Sequence, residues 1–473
     1  MLRAGRVAEA IDAYARVTAL DPRAAAAWYN LGYLLRADRQ FEAALHAYGR
    51  AIEAGIDRVE EVHLNRAVIL SEFLERAEDA EAELTTALAI APGFALAWLN
   101  LGNVREDRGD AHGARGAYER ALAIDPASGR ALARIAAIDV FEGQAAASVD
   151  RLRRVASDPR MPVQTRAEVA FALGNALDAL GAYREAFQAI AAAHQMARAA
   201  MPPQYRYDRN AQAALVDRLI ALPPLPRDEA PGEGPQPVFV CGMFRSGSTL
   251  VERILSRHSR ITGGGEIEAL PALAHAMPRY PAEVAAADAA TLAGWRDAYL
   301  AEVARAHPGE VLVTDKRPDN FLHLALVKRL FPAAPIIHTV RAPMDNLVSI
   351  WFLHFDDSIT YGHDLGDIVH WYAQYRRLMA HWRERFGDDI RDIAYEQVVA
   401  APRESIGGLL ASLGLPWEEG VLSERDRGGV VRTASVWQVR QPLHQRSVDR
   451  WKNYAAELAP VRDAFAAAGI ATA

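Results

Sequence analysis

In the sequence VFVCGMFRSGSTL, an apolar run of strand length at residues 238–241 leads to Gly242, four residues, Gly247 and a hydroxyl pair, Ser248 and Thr249. That spacing is the frame of a phosphate-binding loop, in which backbone N–H groups and the positive end of a helix meet an anion. Arg245 adds a planar, permanently charged fork. With Ser246, Gly247, Ser248 and Thr249 it makes up the candidate anion site. Ser248 stands where a triphosphate-binding loop needs the lysine that reaches the terminal phosphates, and no acid is evident to hold magnesium. The chemistry that suits this frame is a donor with a short phosphate chain and no metal. The plainer reading of the same residues is a glycine turn that packs a helix on a strand.

Well downstream, PIIHTVRAPMDNLVSIWF ends an apolar strand at Arg341, offers Pro343 as a helix start and puts Ser349 two turns into that helix. Together Arg341 and Ser349 can grip a second anion near the first. Taken alone, an arginine at a strand end is a solvated cap or an ion-pair partner. Its pairing with the opening loop is what makes it a candidate.

These two blocks, FRSGST and TVRAPMDNLVS, resemble the sulfotransferase fold over about residues 237–454. The resemblance implies the donor 3′-phosphoadenosine 5′-phosphosulfate (PAPS), with the first loop on its 5′-phosphosulfate and Arg341 and Ser349 on its 3′-phosphate. Such a donor ends in a singly charged sulfuryl group, so neither the missing lysine nor a metal is needed. Arg245 and the segment GGGEIEALP together resemble the tyrosylprotein branch, in which an acid follows the loop at this spacing. Glu266, downstream of Arg245, is the match, with Glu268 as its rival. A hydroxyl attacking sulfur must lose its proton, and a positioned carboxylate is a suitable base. Lys316 in VLVTDKRPDNF matches the lysine of the family that neutralises charge on the leaving oxygen, a preorganised electrostatic role. Arg317 is its neighbour, and Asp315 and Asp319 also allow an ordinary salt-bridge cluster. The resemblance further places Tyr395 against the donor, and Ser447, Arg450 and Lys452 in a C-terminal segment that folds over the nucleotide. Glu266, Lys316 and Arg245 are thus the expected catalytic set. The animal tyrosylprotein enzymes are membrane-anchored and disulfide-bonded, whereas this sequence shows no anchor and has one cysteine, Cys241. The acceptor is therefore not inherited from them.

The elements that position these residues have an α/β grammar. Residues 238–241, 311–315, 335–340 and 389–395 read as strands alternating with helices, which implies a mostly parallel sheet covered on both faces. The ligand then belongs at the strands' C-terminal ends. Ahead of residue 202 the grammar differs. Tyr14, Tyr48, Leu84 and Tyr118 occupy equivalent slots at a nearly constant spacing, and Trp28, Leu31 and Gly32 recur two periods later as Trp98, Leu101 and Gly102. This resembles the tetratricopeptide repeat, a helical pair closed by small residues such as Gly32, Ala44 and Ala51. Leu173, Gly174, Gly181, Tyr183, Ala186 and Phe187 restore the landmarks after a weaker unit. The first unit lacks its opening helix, so either the sequence starts late or a partner supplies the cap. The expected organisation is an all-α solenoid at 1–200, a terminal helix and proline-rich linker at 201–236, and a three-layer α/β sulfotransferase domain, P-loop-like, at 237–473.

With 473 residues, half of them hydrophobic, and a formal charge of −7, the composition is globular and argues against general nucleic-acid or anionic-membrane binding. Residues 425–452 run against that balance, with seven Lys or Arg to two acids, which favours an anionic ligand there. No apolar run has the length of a bilayer span or a secretory signal, so the cytoplasm is the default. The combined expectation is a PAPS-dependent transfer to a hydroxyl acceptor, with protein tyrosine as the leading choice and the solenoid binding a protein or peptide. A homodimer stays open. The alternatives are a glycan or small-metabolite acceptor, a non-catalytic nucleotide-binding scaffold, and a metal-dependent phosphotransferase.

Overall fold

The computed structural model describes residues 7–74, 76–226, 236–309, 312–355, 359–423 and 445–472, and its first ten helices show why the repeat carries its glycines. They are α1 (Val7–Leu20), α2 (Ala25–Ala37), α3 (Phe41–Glu53), α4 (Val59–Glu72), α5 (Ala77–Ile90), α6 (Ala95–Asp107), α7 (Ala111–Ile124), α8 (Gly129–Phe141), α9 (Ala146–Ser157) and α10 (Val163–Ala179). A Cβ on Gly32 of α2 would sit 2.9 Å from the Tyr48 ring of α3, and one on Gly102 of α6 would sit 2.3 Å from the Tyr118 ring of α7. Only glycine lets each pair close over its aromatic. The repeat between them swaps both partners: Ala67 occupies the glycine slot and Leu84 the aromatic one, and both are buried in one apolar cluster. The smaller Leu84 leaves room for the methyl group. That exchange is why the Gly–Tyr pair of the first repeat returns two periods later rather than in the next one. Trp28 Nε1 donates to Pro22 O at 3.1 Å and Trp98 Nε1 to Pro92 O at 3.0 Å, so the two related tryptophans also close their turns alike.

The described residues divide into two compact units at Leu180 and Gly181. In the second unit, α11 (Tyr183–Ala200) and α12 (Arg209–Ile220) precede β1 (Gln236–Gly242), α13 (Ser248–Leu255), β2 (Thr262–Gly263), α14 (Ala269–Ala276), α15 (Ala282–Ala286), α16 (Ala289–Ala306), β3 (Leu312–Lys316) and α17 (Leu324–Leu330). Then follow β4 (Ile336–Val340), α18 (Pro343–Trp351), α19 (Leu365–Phe386), β5 (Ile390–Ala394), α20 (Tyr395–Ala400), α21 (Pro402–Ser412) and α22 (Ala459–Ala467). The repeat-like landmarks of α11 pack within this unit. Tyr183 and Phe187 lie against Tyr454 with ring centroids 5.6 and 6.1 Å apart, and His194 stacks on Trp351 at 3.8 Å while donating from Nε2 to its carbonyl at 2.8 Å.

The sheet order is β2-β3-β1-β4-β5, and every strand pair is parallel. Period-two alternation along β1 sends Val238 and Val240 into a core with Val251 and Ile254 of α13 and Ile406 and Leu409 of α21. Phe239 points to the opposite face, against Tyr299 of α16 and Phe331. Helices therefore cover both faces, the three-layer α/β arrangement expected. Four strands fall where the apolar runs lie. The fifth, β2, spans only Thr262–Gly263 and has no apolar run to announce it. No described helix is long and apolar enough to cross a membrane. Arg425, Arg427, Arg432 and Arg440 of the basic run, like Pro231 and Pro235 of the linker, lie outside the described residues.

Candidate functional site

The anion loop, Glu266, Lys316, Arg341 and Tyr395 lie at or just after the C-terminal ends of strands, because a parallel sheet points all those ends to one edge. β1 ends at Gly242, whose φ of +155° and close neighbours exclude a side chain: a Cβ would lie 2.3 Å from Thr339 O. The chain turns through Arg245 (φ +65°) and Gly247 (φ +101°) and enters α13 at Ser248. A Cβ on Gly247 would meet the Tyr395 ring at 2.9 Å. Ser246 shapes this loop from inside: its Oγ bonds Met243 O at 2.6 Å and Thr339 Oγ1 at 2.7 Å, and its N–H donates to Met243 O at 3.1 Å. Ser248 is buried and Thr249 half-buried at the head of α13.

Arg341, immediately after β4, lies beside that loop. Its Nη1 donates to Arg245 O at 3.1 Å, its Nη2 donates to Ser447 O at 2.7 Å, and its guanidinium rests 4.6 Å from the Tyr395 ring centroid. Arg245 Nε in turn donates to Ser349 Oγ at 3.2 Å. The two widely separated sequence blocks thus meet, with Arg245, Arg341, Ser349 and Tyr395 in one half-buried patch. Burial, and after it the charge of Arg341, pushes the Arg245 guanidinium down to about 10. Arg341 is lowered too, mainly by burial, against the opposing pull of Tyr395, Asp345 and Glu396. Its Nε is buried with no hydrogen-bond partner among the described residues. Two partly desolvated cations beside a glycine-lined loop are arranged to receive an anion.

The C-terminal segment enters through backbone contacts. Ser447 presents its carbonyl to Arg341, and Arg450 lies 4.6 Å from the Phe352 ring centroid. Lys452 is not brought to the loop. It is exposed and pairs with Asp449 at 2.7 Å. Sequence reasoning missed the residue that holds this segment, Asp345 of α18. Its buried carboxylate accepts from the N–H groups of Asp449 (2.6 Å) and Trp451 (2.9 Å), and burial raises its pKa. An acid in a helix's first turn reads as a dipole partner, so nothing local marked it.

On the other side of β1, Lys316 ends β3 almost wholly buried, and its Nζ donates to Glu266 Oε1 at 2.7 Å. Glu266 is the exposed partner, with 44% of its side chain accessible against 2% for Lys316. Arg317 faces away to a separate pair of acids, Glu268 at 2.5 Å and Asp319 at 3.0 Å. The two rivals, Glu268 and Arg317, are therefore each other's partners. Asp315, one residue before Lys316, is buried beneath the sheet edge and accepts from Tyr299 Oη at 2.8 Å and Asn320 Nδ2 at 3.0 Å.

Residues 237–419 match the model of the sulfotransferase family, and residues 2–60 and 73–129 match a tetratricopeptide repeat model. The chain joins tetratricopeptide repeats to a sulfotransferase-family domain. An uncharacterized protein of Aquifex aeolicus is 30% identical over 328 residues, which cover 66% of this chain and 43% of that protein. Protein-tyrosine sulfotransferase 1 of Danio rerio is 26% identical over 243 residues, 45% of this chain and 65% of that protein. The chain therefore spans less than two thirds of the length of either relative. The sulfotransferase domain from the Synechococcus PCC 7002 olefin synthase is 21% identical with a TM-score of 0.37, covering 48% of this chain and 90% of that one. The sulfotransferase-family match includes the loop after β1, Glu266, Lys316, Arg341, Ser349 and Tyr395, and ends before Ser447, Arg450 and Lys452.

Proposed function

We propose that the sulfotransferase-family domain moves the sulfuryl group of PAPS to a hydroxyl acceptor, with a protein tyrosine as the acceptor and the repeats recruiting the polypeptide. The observation that carries this reading is the meeting of Arg245 and Arg341 at one loop, with the Lys316–Glu266 pair on the neighbouring strand end. The residues fit the donor. Arg341 Nε has a hydrogen left to give, and Gly242 and Gly247 let the loop fold tightly against Thr339 and Tyr395, beside Arg341.

Backbone N–H groups at the head of α13 and the Arg245 guanidinium would hold the 5′ end, while Arg341 and Ser349 would hold the 3′-phosphate. Tyr395, already beneath Arg341, supports that guanidinium through its ring face. When bound, the donor supplies an electrophilic sulfur and a phosphate leaving group. Lys316 stabilises negative charge as it appears on the leaving oxygen, and its burial keeps that charge unscreened. Glu266, released from Lys316 at that moment, takes the acceptor's proton on a carboxylate oxygen at the exposed end of the pair. The 26% identity to a protein named for tyrosine sulfation supports the choice of acceptor. Repeats in the first unit support a polypeptide as the thing recruited.

The test is donor binding followed by transfer. Adenosine 3′,5′-bisphosphate should bind without magnesium and far more tightly than ATP. Incubation of the full chain with 35S-labelled PAPS and a host lysate should then label protein bands at tyrosine. Label confined to sugar or lipid overturns the acceptor, and preference for magnesium–ATP overturns the donor.

A further inference from the structure

Glu252 is an acid that the proposed chemistry leaves unused, yet it is buried, at 8% exposure, on the helix that starts at the anion loop. Its Oε1 accepts two hydrogen bonds from the far side of the site: Gly265 N at 3.0 Å and Thr314 Oγ1 at 2.7 Å. Thr314 Oγ1 also accepts from Gly264 N at 3.1 Å, and Gly265 O accepts from Lys316 N at 2.8 Å. Two consecutive amides and one carbonyl just before Glu266 are thus fastened, all within reach of one carboxylate and one strand. The glycines are required for this closeness. A Cβ on Gly264 would lie 2.2 Å from Thr314 O, and Gly265 has φ +64°.

Without that anchor, three successive glycines would be the loosest backbone available next to the base. A displacement of about 1 Å at a reacting group is enough to cost roughly a hundredfold in rate. We propose that Glu252 is a positioning residue: its carboxylate ties the Gly264–Gly265 turn to the anion-loop helix and so fixes Glu266 and Lys316 relative to the donor. The same acid lies near both members of the pair, and burial raises its pKa while the Lys316 charge opposes that rise. Donor grip and base placement are thereby parts of one hydrogen-bonded unit. This inference rests on the reading of Glu266 as the base.

The test compares Glu252→Ala, Glu252→Gln and Thr314→Val in the full chain. Glutamine keeps an acceptor oxygen for both donors, whereas alanine removes it. The expected result for E252A is a fall in kcat of about ten- to a hundredfold with the dissociation constant for adenosine 3′,5′-bisphosphate within about threefold of wild type. E252Q should recover most of that kcat, and T314V should fall between them. Hydrogen exchange of a peptide spanning 262–268 supplies a readout independent of activity. It should quicken in E252A and stay near wild type in E252Q. Unchanged exchange in E252A overturns the proposal, as does faster exchange with unchanged kcat. Should E252A fail to fold, E252Q and T314V carry the same comparison. If wild type itself transfers nothing, the functional reading fails, and the exchange measurement still decides whether Glu252 holds the turn.

Discussion

Replacing Arg341 by alanine separates a residue that holds a phosphate from one that holds only the protein. In the structure its guanidinium gives Nη1 to Arg245 O and Nη2 to Ser447 O, so the substitution removes two hydrogen bonds from a cation. It also removes the stacking on Tyr395. If Nε and a remaining Nη hydrogen meet a 3′-phosphate, two charge-assisted bonds of about 1.5–3 kcal/mol each are lost on binding. A combined loss of about 3–6 kcal/mol corresponds to a dissociation constant some hundred- to ten-thousandfold higher. The informative assay is calorimetric titration of wild type and R341A with adenosine 3′,5′-bisphosphate and with adenosine 5′-monophosphate. Damage to the Ser447 contact weakens both ligands, whereas loss of the phosphate partner weakens only the first. The expected outcome is therefore an affinity ratio between the two ligands that collapses in R341A, with R341K intermediate because it keeps charge without the fork. An equal loss for both ligands refutes the assignment and leaves Arg341 as a clasp for the C-terminal segment.

Glu266→Gln should cut turnover by about a hundred- to ten-thousandfold while leaving adenosine 3′,5′-bisphosphate affinity within a few fold, measured by single-turnover transfer of labelled donor. In the solenoid, Gly32→Ala should destabilise by about 1–3 kcal/mol through overpacking against the Tyr48 ring. Because the Tyr48 hydroxyl is buried without a partner among the described residues, Tyr48→Leu orphans nothing, and the G32A/Y48L double variant should recover part of the loss in denaturant unfolding. Burial pushes Asp315 up to about 7, against the hydrogen bonds from Asn320 and Tyr299. A carboxyl whose folded pKa exceeds its unfolded value stabilises most below about pH 4, and that contribution is lost as the pH rises through about 7. Stability measured across that window should lose part of its fall with pH in Asp315→Asn.

What could be read from the sequence was what is repeated or what is costly to substitute. Gly32 and Gly102, each under a tyrosine ring, are such positions, and their echo two periods apart marked the repeats before any contact was visible. The loop after β1 was legible for a similar reason, since Gly242 and Gly247 adopt backbone angles that other residues resist. Residues defined only by long-range partners were not legible. Glu252 looks like any helix acid, and its partners lie 13 and 62 positions away. Asp345 is similar, since the amides it accepts from come 104 and 106 positions later. Ser246 had the right type and place for a ligand contact, yet its hydroxyl is spent on Met243 and Thr339. α11 carries repeat-like spacing, and any amphipathic helix shows an apolar stripe at that period. Here that stripe meets Tyr454 and Trp351.

The strand order also works as a ruler. Along the sheet edge stand, in sequence, Glu266 after β2, Lys316 at the end of β3, the glycine loop after β1, Arg341 after β4 and Tyr395 after β5. Neighbouring strands are about 4.8 Å apart, so each step between these groups is graduated by main-chain hydrogen bonding rather than by side-chain adjustment. The backbones of β3 and β4, which lead to Lys316 and Arg341, are two graduations apart, about 10 Å. A nucleotide whose reactive end and opposite phosphate are separated by a different length would fall out of step with the marks. Side-chain substitutions at the edge can change how hard the ends are held, but the gauge itself would move only with a change in strand pairing.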